Sequence, residues 1–183
     1  WVVDAGFIPI PIPNTLVDLD SSDESQPRLG GLLRELNINA LLLSGGNDIG
    51  TVPQRDLTEN YLLAWAERNM VPVLGICRGM QMMGMYAGGG LMCVDGHVGV
   101  KHKLYNGDKA SDLFPESVNS YHNHVLQERP EGYKILAKSE DGNLEAMMHK
   151  ELPWEAWMWH PERESIFLQS DLDRFKKLVK NGQ

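Results

Sequence analysis

The chain is poor in cysteine, short of positive charge and without long uninterrupted apolar runs. Two cysteines in 183 residues cannot knit a disulfide framework, and an unpaired thiol is easiest to keep in a reducing cytosol, so a cytoplasmic protein is expected. Lys and Arg number 17 against 25 Asp and Glu, a formal net charge of -8. That balance repels a phosphate backbone or an anionic membrane at long range and argues against nucleic acid or membrane as partner. The apolar runs fall far short of the roughly 20 residues that span a bilayer. There is no internal repeat, no low-complexity tract, no His-Glu-x-x-His and no paired Cys-x-x-Cys, so neither a metal nor another cofactor is expected. Trp1 is neither an initiator Met nor the start of a signal-peptide pattern, and it is not read as the natural beginning. With 42% hydrophobic and 23% charged residues, the chain reads as one globular domain over residues 1–183.

Strand-like and helix-like segments alternate, the trace of an α/β fold in which a mostly parallel central sheet is covered by helices on both faces. Phe7 to Ile12 carries Pro9 and Pro11 and suits an extended or edge segment. Val17 to Pro27 is acidic and Ser-rich and reads as a solvated loop. Leu29, Leu32, Leu33 and Leu36 recur at helical spacing before a short buried strand at Ala40 to Leu43. A helix over Asp56 to Asn69 is expected to pack through Leu57, Tyr61, Ala64 and Trp65, with Glu59, Asn60 and Arg68 facing elsewhere. Pro72 to Ile76 lacks alternating polarity, as a strand buried on both faces should. A helix from Arg78 to Tyr86 with Met80, Met83 and Ala87 on its packed side follows, ending at Gly88 to Gly90. Short strands are expected at Leu91 to Val94, Tyr133 to Ala137, Leu144 to Met148 and Trp154 to Trp159. A final amphipathic helix carries Leu172, Phe175, Leu178 and Val179.

Gly75-Ile76-Cys77-Arg78-Gly79 has the form Gly-x-nucleophile-x-Gly between a buried strand and a helix, the setting of a nucleophile elbow. Such a turn strains its central residue and leaves no room for a Cβ at either flank. Unpaired N–H groups and the positive end of the helix dipole favour a thiolate on Cys77, and the Arg78 backbone N–H can face an oxyanion. Ser44-Gly45-Gly46-Asn47-Asp48 ends another strand on the same sheet edge, and a backbone N–H near Gly46 or Asn47 is the candidate second donor. Gln81, one turn after Cys77, is a candidate substrate-binding amide. Trp159-His160-Pro161-Glu162 supplies a base: Pro161 keeps His160 out of helix, and in an extended chain Glu162 points the same way as the imidazole. Cys93, in an apolar strand without flanking glycines, reads as a buried structural thiol. His97, His102, His122, His124 and His149 are assigned mostly to hydrogen bonding or packing. Asn119 to His124 fits either a pocket wall or a surface turn.

These residues resemble the class I glutamine amidotransferase-like superfamily, which has a flavodoxin-like fold, and in particular its gamma-glutamyl hydrolase branch. The resemblance rests on Leu43 to Asp48, Leu74 to Gln81, Asn119 to Asn123 and Trp159 to Glu162, in that order along nearly the whole chain. It implies Cys77 as nucleophile, His160 as base and then acid, and Glu162 as its orienter. It also implies an oxyanion hole at Arg78 and near Gly46, and a gamma-glutamyl head held by Gln81 and Tyr121, His122 and Asn123. Phe7 to Pro11, Gly96 to Gly99, Glu145 to Lys150 and Met158 to Glu164 are similar to the gamma-glutamyl-CDP-amidate hydrolases, which release glutamate in capsule phosphoramidate synthesis. Members begin with a strand and half a helix that would precede Trp1. No synthetase domain lies within the chain. The expected partner is therefore a small gamma-glutamyl substrate. Two other readings stand beside hydrolysis: a glutaminase subunit feeding ammonia to a separate synthetase, and a non-catalytic binding module.

Overall fold

The computed structural model of the chain describes residues 1–19, 27–106 and 114–181. The residues around Trp1 make a turn, and Phe7 to Ile12 is neither helix nor sheet strand, in keeping with its prolines. A 3-10 turn covers Asn14–Leu16. Most of the acidic Ser-rich run, residues 20–26, lies outside the described residues.

Ten strands and four helices follow in the described residues: α1 (Pro27–Leu36), β1 (Leu41–Leu43), α2 (Pro53–Asn69), β2 (Val73–Ile76), α3 (Arg78–Tyr86), β3 (Leu91–Cys93), β4 (Val98–Lys103), β5 (Tyr105–Asn106), β6 (Ser117–Tyr121), β7 (His124–Leu126), β8 (Tyr133–Lys138), β9 (Leu144–His149), β10 (Trp154–Trp157) and α4 (Gln169–Asn181). The main sheet has six strands in the order β1-β2-β10-β9-β8-β5. It is mixed. β1, β2 and β10 run parallel, with Leu41 beside Val73 and Trp157 beside Ile76, whereas β10, β9, β8 and β5 pair antiparallel. Two small antiparallel ribbons, β3 with β7 and β4 with β6, stand outside it.

Alternation along β10 shows what covers each face. Trp154 lies 6.0 Å from Tyr86 at the end of α3. Glu155 and Trp157 point the other way, toward α4: Arg174 of α4 pairs with Glu155, and Trp1 stacks on Phe175 at 5.0 Å while meeting Trp157 edge-on at 6.2 Å. Helices therefore flank the sheet on both sides. Val73 to Ile76 is buried throughout, which explains its unbroken apolar sequence. Met80 and Met83 are fully buried, as the helical spacing predicts, and Met82 joins them. Leu172, Phe175 and Val179 form the inner face of α4.

The face of α2 differs from expectation. Its buried residues are Thr58, Glu59, Leu62, Leu63 and Ala66, so the inward stripe is rotated relative to Leu57, Tyr61, Ala64 and Trp65. Glu59 is drawn in because Arg78 of α3, itself buried, pairs with it, a partner that hydrophobic periodicity does not register. The helix also begins three residues early, at Pro53, where proline's missing N–H is no loss. Cys93 is a further correction: it is exposed, because β3 sits in a two-stranded ribbon and not in the main sheet.

Candidate active site

Cys77 occupies the turn between β2 and α3 with φ 49° and ψ −104°, a strained conformation for a residue with a Cβ. Its amide N–H donates to the Trp157 carbonyl at 2.8 Å, and its carbonyl receives the Gln81 N–H at 3.1 Å. The flanking glycines have the purpose that the motif predicts. A Cβ on Gly75 would lie 2.5 Å from Met83 Sδ and 2.7 Å from the Gly79 carbonyl carbon, and one on Gly79 would strike the Leu43 carbonyl. Close packing of α3 on β1 and β2 thus excludes side chains at both positions.

The electrostatics of Cys77 depart from expectation. Burial pushes its thiol up to about 11, against the pull of the Arg78 backbone N–H and the nearby Arg163 guanidinium. The helix terminus is therefore insufficient to hold the sulfur as a resting thiolate. Arg78 is anchored by its side chain, which pairs with Asp56 and Glu59 of α2, so the backbone N–H beside the sulfur belongs to a residue fixed at its far end.

His160 leaves the C-terminal end of β10, the strand adjacent and parallel to β2. Its Nδ1 lies 2.6 Å from Glu162 Oε1. The contact is made by a 3-10 turn over Pro161–Arg163, not by an extended chain; Pro161 still holds His160 out of helix, at φ −111° and ψ 87°. Burial raises the Glu162 carboxyl, but the hydrogen bond with His160, its own backbone N–H and the charges of His160 and Arg163 outweigh this and leave it below the usual carboxylate range. Asn119 of β6 clamps the His160 backbone from both sides: its Oδ1 accepts the His160 N–H at 2.9 Å and its Nδ2 donates to the His160 carbonyl at 2.8 Å. The same Nδ2 donates to Glu164 at 2.8 Å.

The Gly-Gly turn after β1 reaches this group. A Cβ on Gly45 would lie 2.5 Å from His160 Cε1, so the turn lies against the imidazole. Gly46 has φ 147°. Arg55 of α2 holds the turn by donating to the Ser44 carbonyl at 2.8 Å, the Gly45 carbonyl at 3.1 Å and Asn47 Oδ1 at 3.2 Å. Asn47 Nδ2 donates to Thr51 at 2.7 Å.

The four expected substrate-binding residues separate. Gln81 is buried, and its Nε2 donates to the His124 carbonyl at 2.9 Å, so it ties α3 to β7. Tyr121 is 42% exposed at the rim, edge-on to His160 at 5.9 Å and under the Arg163 guanidinium at 4.5 Å. Asn123 is exposed, and its carbonyl accepts the Val94 N–H at 2.9 Å. His122 is buried and packs against His97, with ring centroids 4.8 Å apart. Asn119 to His124 is thus strand β6 and the turn into β7, a wall of the site rather than a surface loop. Sequence reasoning missed Asn119 as the clamp, and also Arg55 and Arg163; their only signal was proximity to the motifs they support.

A cysteine on a strained turn between a buried strand and a helix, beside a parallel strand that delivers a His–Glu couple, has the geometry of a nucleophile elbow. The model of the class I glutamine amidotransferase family matches residues 7–169, and the chain belongs to that family. It is 31% identical over 134 residues to the gamma-glutamyl-CDP-amidate hydrolase of Campylobacter jejuni, covering 70% of this chain and 64% of that protein. It is 32% identical over 130 residues to a glutamine-hydrolysing GMP synthase subunit from Archaeoglobus fulgidus, covering 69% and 67% respectively. This chain thus spans about two thirds of the length of these relatives. A solved glutamine amidotransferase from Thermotoga maritima shares the fold, with a TM-score of 0.59, 15% identity and coverage of 84% of this chain and 77% of that one. Among the described residues, no helix is long and apolar enough to cross a membrane.

Proposed function

We propose that the chain hydrolyses a gamma-glutamyl amide through Cys77, His160 and Glu162. The observation that carries this reading is the strained Cys77 on the β2–α3 elbow, with the His160–Glu162 couple leaving the neighbouring parallel strand. Glu162 accepts the Nδ1 proton of His160 and fixes the tautomer, which leaves Nε2 free to take a proton. As the sulfur attacks the gamma-carbonyl, its proton passes to Nε2 and the carbonyl oxygen becomes an oxyanion, held by the Arg78 N–H and a second N–H at Gly46 or Asn47. Collapse breaks the C–N bond, and the imidazolium gives its proton to the departing nitrogen. A glutamyl thioester and a free amine remain. Neutral His160 then takes a proton from water, whose oxygen attacks the thioester. The second oxyanion collapses to release glutamate and return the proton to the sulfur.

Tyr121 and Arg163 at the rim, with Asn123 beside them, are assigned to the glutamyl head; Gln81 and His122 act behind them as supports. A gamma-glutamyl-CDP-amidate is the favoured substrate, since the Campylobacter relative, 31% identical to this chain, bears that name. A free thiol at Cys77 has to stay reduced, which favours a cytoplasmic reaction. The relatives named as glutamine-hydrolysing GMP synthase subunits favour a second reading, in which the chain is a glutaminase that supplies ammonia to a separate synthetase. Glutamate release from glutamine, simple gamma-glutamyl amides and a gamma-glutamyl CDP-amide separates the two. Preference for the CDP-amide supports the first. Hydrolysis of glutamine that rises sharply on adding a synthetase supports the second. No turnover of any of them, or full turnover by Cys77→Ala, contradicts both.

A further inference from the structure

Behind the wall that carries Asn119 and Tyr121, three imidazoles and one carboxylate converge: His97 before β4, His102 in β4, His122 after β6 and Glu145 in β9. One ligand atom from each lies within 4.8 Å of all the others. The His97 ring centroid is 4.3 Å from that of His102 and 4.8 Å from that of His122. His122 Nε2 lies 3.7 Å from Glu145 Oε1, too far for a hydrogen bond.

The cluster is built as if something belongs in its centre. His97 Nδ1, His102 Nε2, both ring nitrogens of His122 and both carboxylate oxygens of Glu145 are buried without a hydrogen-bond partner. Glu145 is fully buried. Most buried polar atoms of a native interior find a partner, and a carboxylate with no donor is among the most costly to leave unmet. Six orphaned atoms in one cluster, with one ligand atom from each of the four residues converging, call for a group that accepts several lone pairs together.

We propose that His97, His102, His122 and Glu145 form a closed site for one zinc ion. Three neutral imidazoles and a carboxylate are a borderline-soft N3O set that suits Zn2+ in preference to calcium or magnesium, which take oxygen ligands. Bond lengths of about 2.0–2.2 Å would place tetrahedral ligand atoms about 3.4 Å apart. The 3.7 Å pair is already near that spacing, and the others, all within 4.8 Å, need close by no more than about 1.4 Å on loading. The far side of His97 is arranged as zinc ligands usually are: its Nε2 lies 2.7 Å from Asp141 Oδ2, and Asp141 is held by Ser139 Oγ at 2.5 Å and by Asn143 Nδ2 at 2.9 Å. Such a carboxylate fixes the tautomer that leaves Nδ1 free to bind metal.

With four protein ligands the site has no open position for substrate, so the ion is structural. It staples the β4–β6 ribbon to β9 of the main sheet. From there β6 presents Asn119 to His160, and the Glu145 carbonyl accepts the Met158 N–H at 2.7 Å, two residues before His160. The proposal stands independently of the reaction assigned to Cys77.

The test is metal content and spectroscopy on the full chain. Protein stripped with chelator, given equimolar zinc and passed through a desalting column should retain about one zinc per chain. Cobalt loaded in its place should give the visible bands of a tetrahedral ion with no sulfur-to-cobalt charge transfer. His102→Ala and Glu145→Gln should each reduce retained zinc at least tenfold. Cys93→Ser should leave it unchanged; this control matters because exposed Cys93 and His124 sit 3.6 Å apart and offer an alternative zinc-binding pair. If the single variants do not fold, the cobalt spectrum of the unaltered chain decides. No retained zinc, a sulfur-to-cobalt band, or zinc lost with Cys93→Ser but kept in His102→Ala would each overturn the assignment.

Discussion

The elbow and the wall of the site are held in place by different means. At the elbow, between β2 and α3, Cys77 is positioned by backbone: a positive φ, two glycines under close approach, and a strand buried along its length. At the wall, built from β4, β6 and the His160 turn, side chains do the positioning. Asn119 grips the His160 backbone, Glu162 grips its ring, and Arg163 lies over Tyr121. Much of β4 is solvent-exposed, so the wall has little apolar burial to rely on. Rigidity of Cys77 follows from packing, whereas rigidity of His160 follows from polar contacts that can be removed one at a time.

Substitutions can break this contrast. Gly79→Ala at the elbow drives a Cβ into the Leu43 carbonyl and should cost about 3 kcal/mol or more, with activity lost alongside. Gly99→Ala in the wall has open space around it and only its φ of 71° to resist, so about 1 kcal/mol is expected. Urea unfolding of both measures the difference, and equal costs would erase the distinction.

Side-chain deletions in the wall should act on rate more than on fold. Glu162→Gln is expected to lower kcat about 10- to 100-fold, because the neutral amide holds the imidazole tautomer less firmly. Asn119→Ala should do the same by releasing the His160 backbone, with a stability loss of about 1–3 kcal/mol. Steady-state kinetics with calorimetry checks both.

Thiol chemistry sharpens the comparison further. Cys93, exposed on β3, should be alkylated by a small reagent before Cys77 at neutral pH. The rate at Cys77 should rise about tenfold per pH unit toward its value of about 11. A glutamine-shaped electrophile that occupies the site should reverse the order. Peptide mass mapping across pH reports it.

The smallest effect concerns Asp171 at the start of α4. Burial pushes its carboxyl up to about 6, above the roughly 3.9 of an unfolded chain. The folded state therefore holds the proton more tightly, and this contribution to stability is full below about pH 4 and lost as pH rises through about 6. Asp171→Asn should remove about 1–2 kcal/mol of that pH dependence, seen as a flatter stability curve.

How much of this was legible in the sequence follows the same divide. The elbow was readable because its signal is local: an unpatterned apolar strand, two glycines two residues from a cysteine, and a helix whose observed span, Arg78–Tyr86, equals the expected one. The His-Pro-Glu couple was readable for the same reason, although a 3-10 turn and not an extended chain makes the contact. β4 and β6 were not anticipated, since Val98 to Lys103 is too exposed to alternate. Glu59 was misplaced because its partner Arg78 lies 19 residues away. His97, His102 and His122 read from sequence as hydrogen-bonding or packing residues, and nothing joins Glu145 to them, since no spacing rule links residues from three strands' surroundings. The exposure of Cys93 depended on which strands pair, which residue patterns alone do not decide.

The central claim is that Cys77 carries a glutamyl group during turnover. Rapid acid quenching with substrate in excess, followed by mass analysis of peptides, tests it. The account predicts that the peptide containing Cys77 gains the mass of one gamma-glutamyl group, that alkaline hydroxylamine removes it, and that the adduct is absent from Cys77→Ala. Glutamate released at an unchanged rate by that variant, or an adduct found only on Cys93, would contradict it.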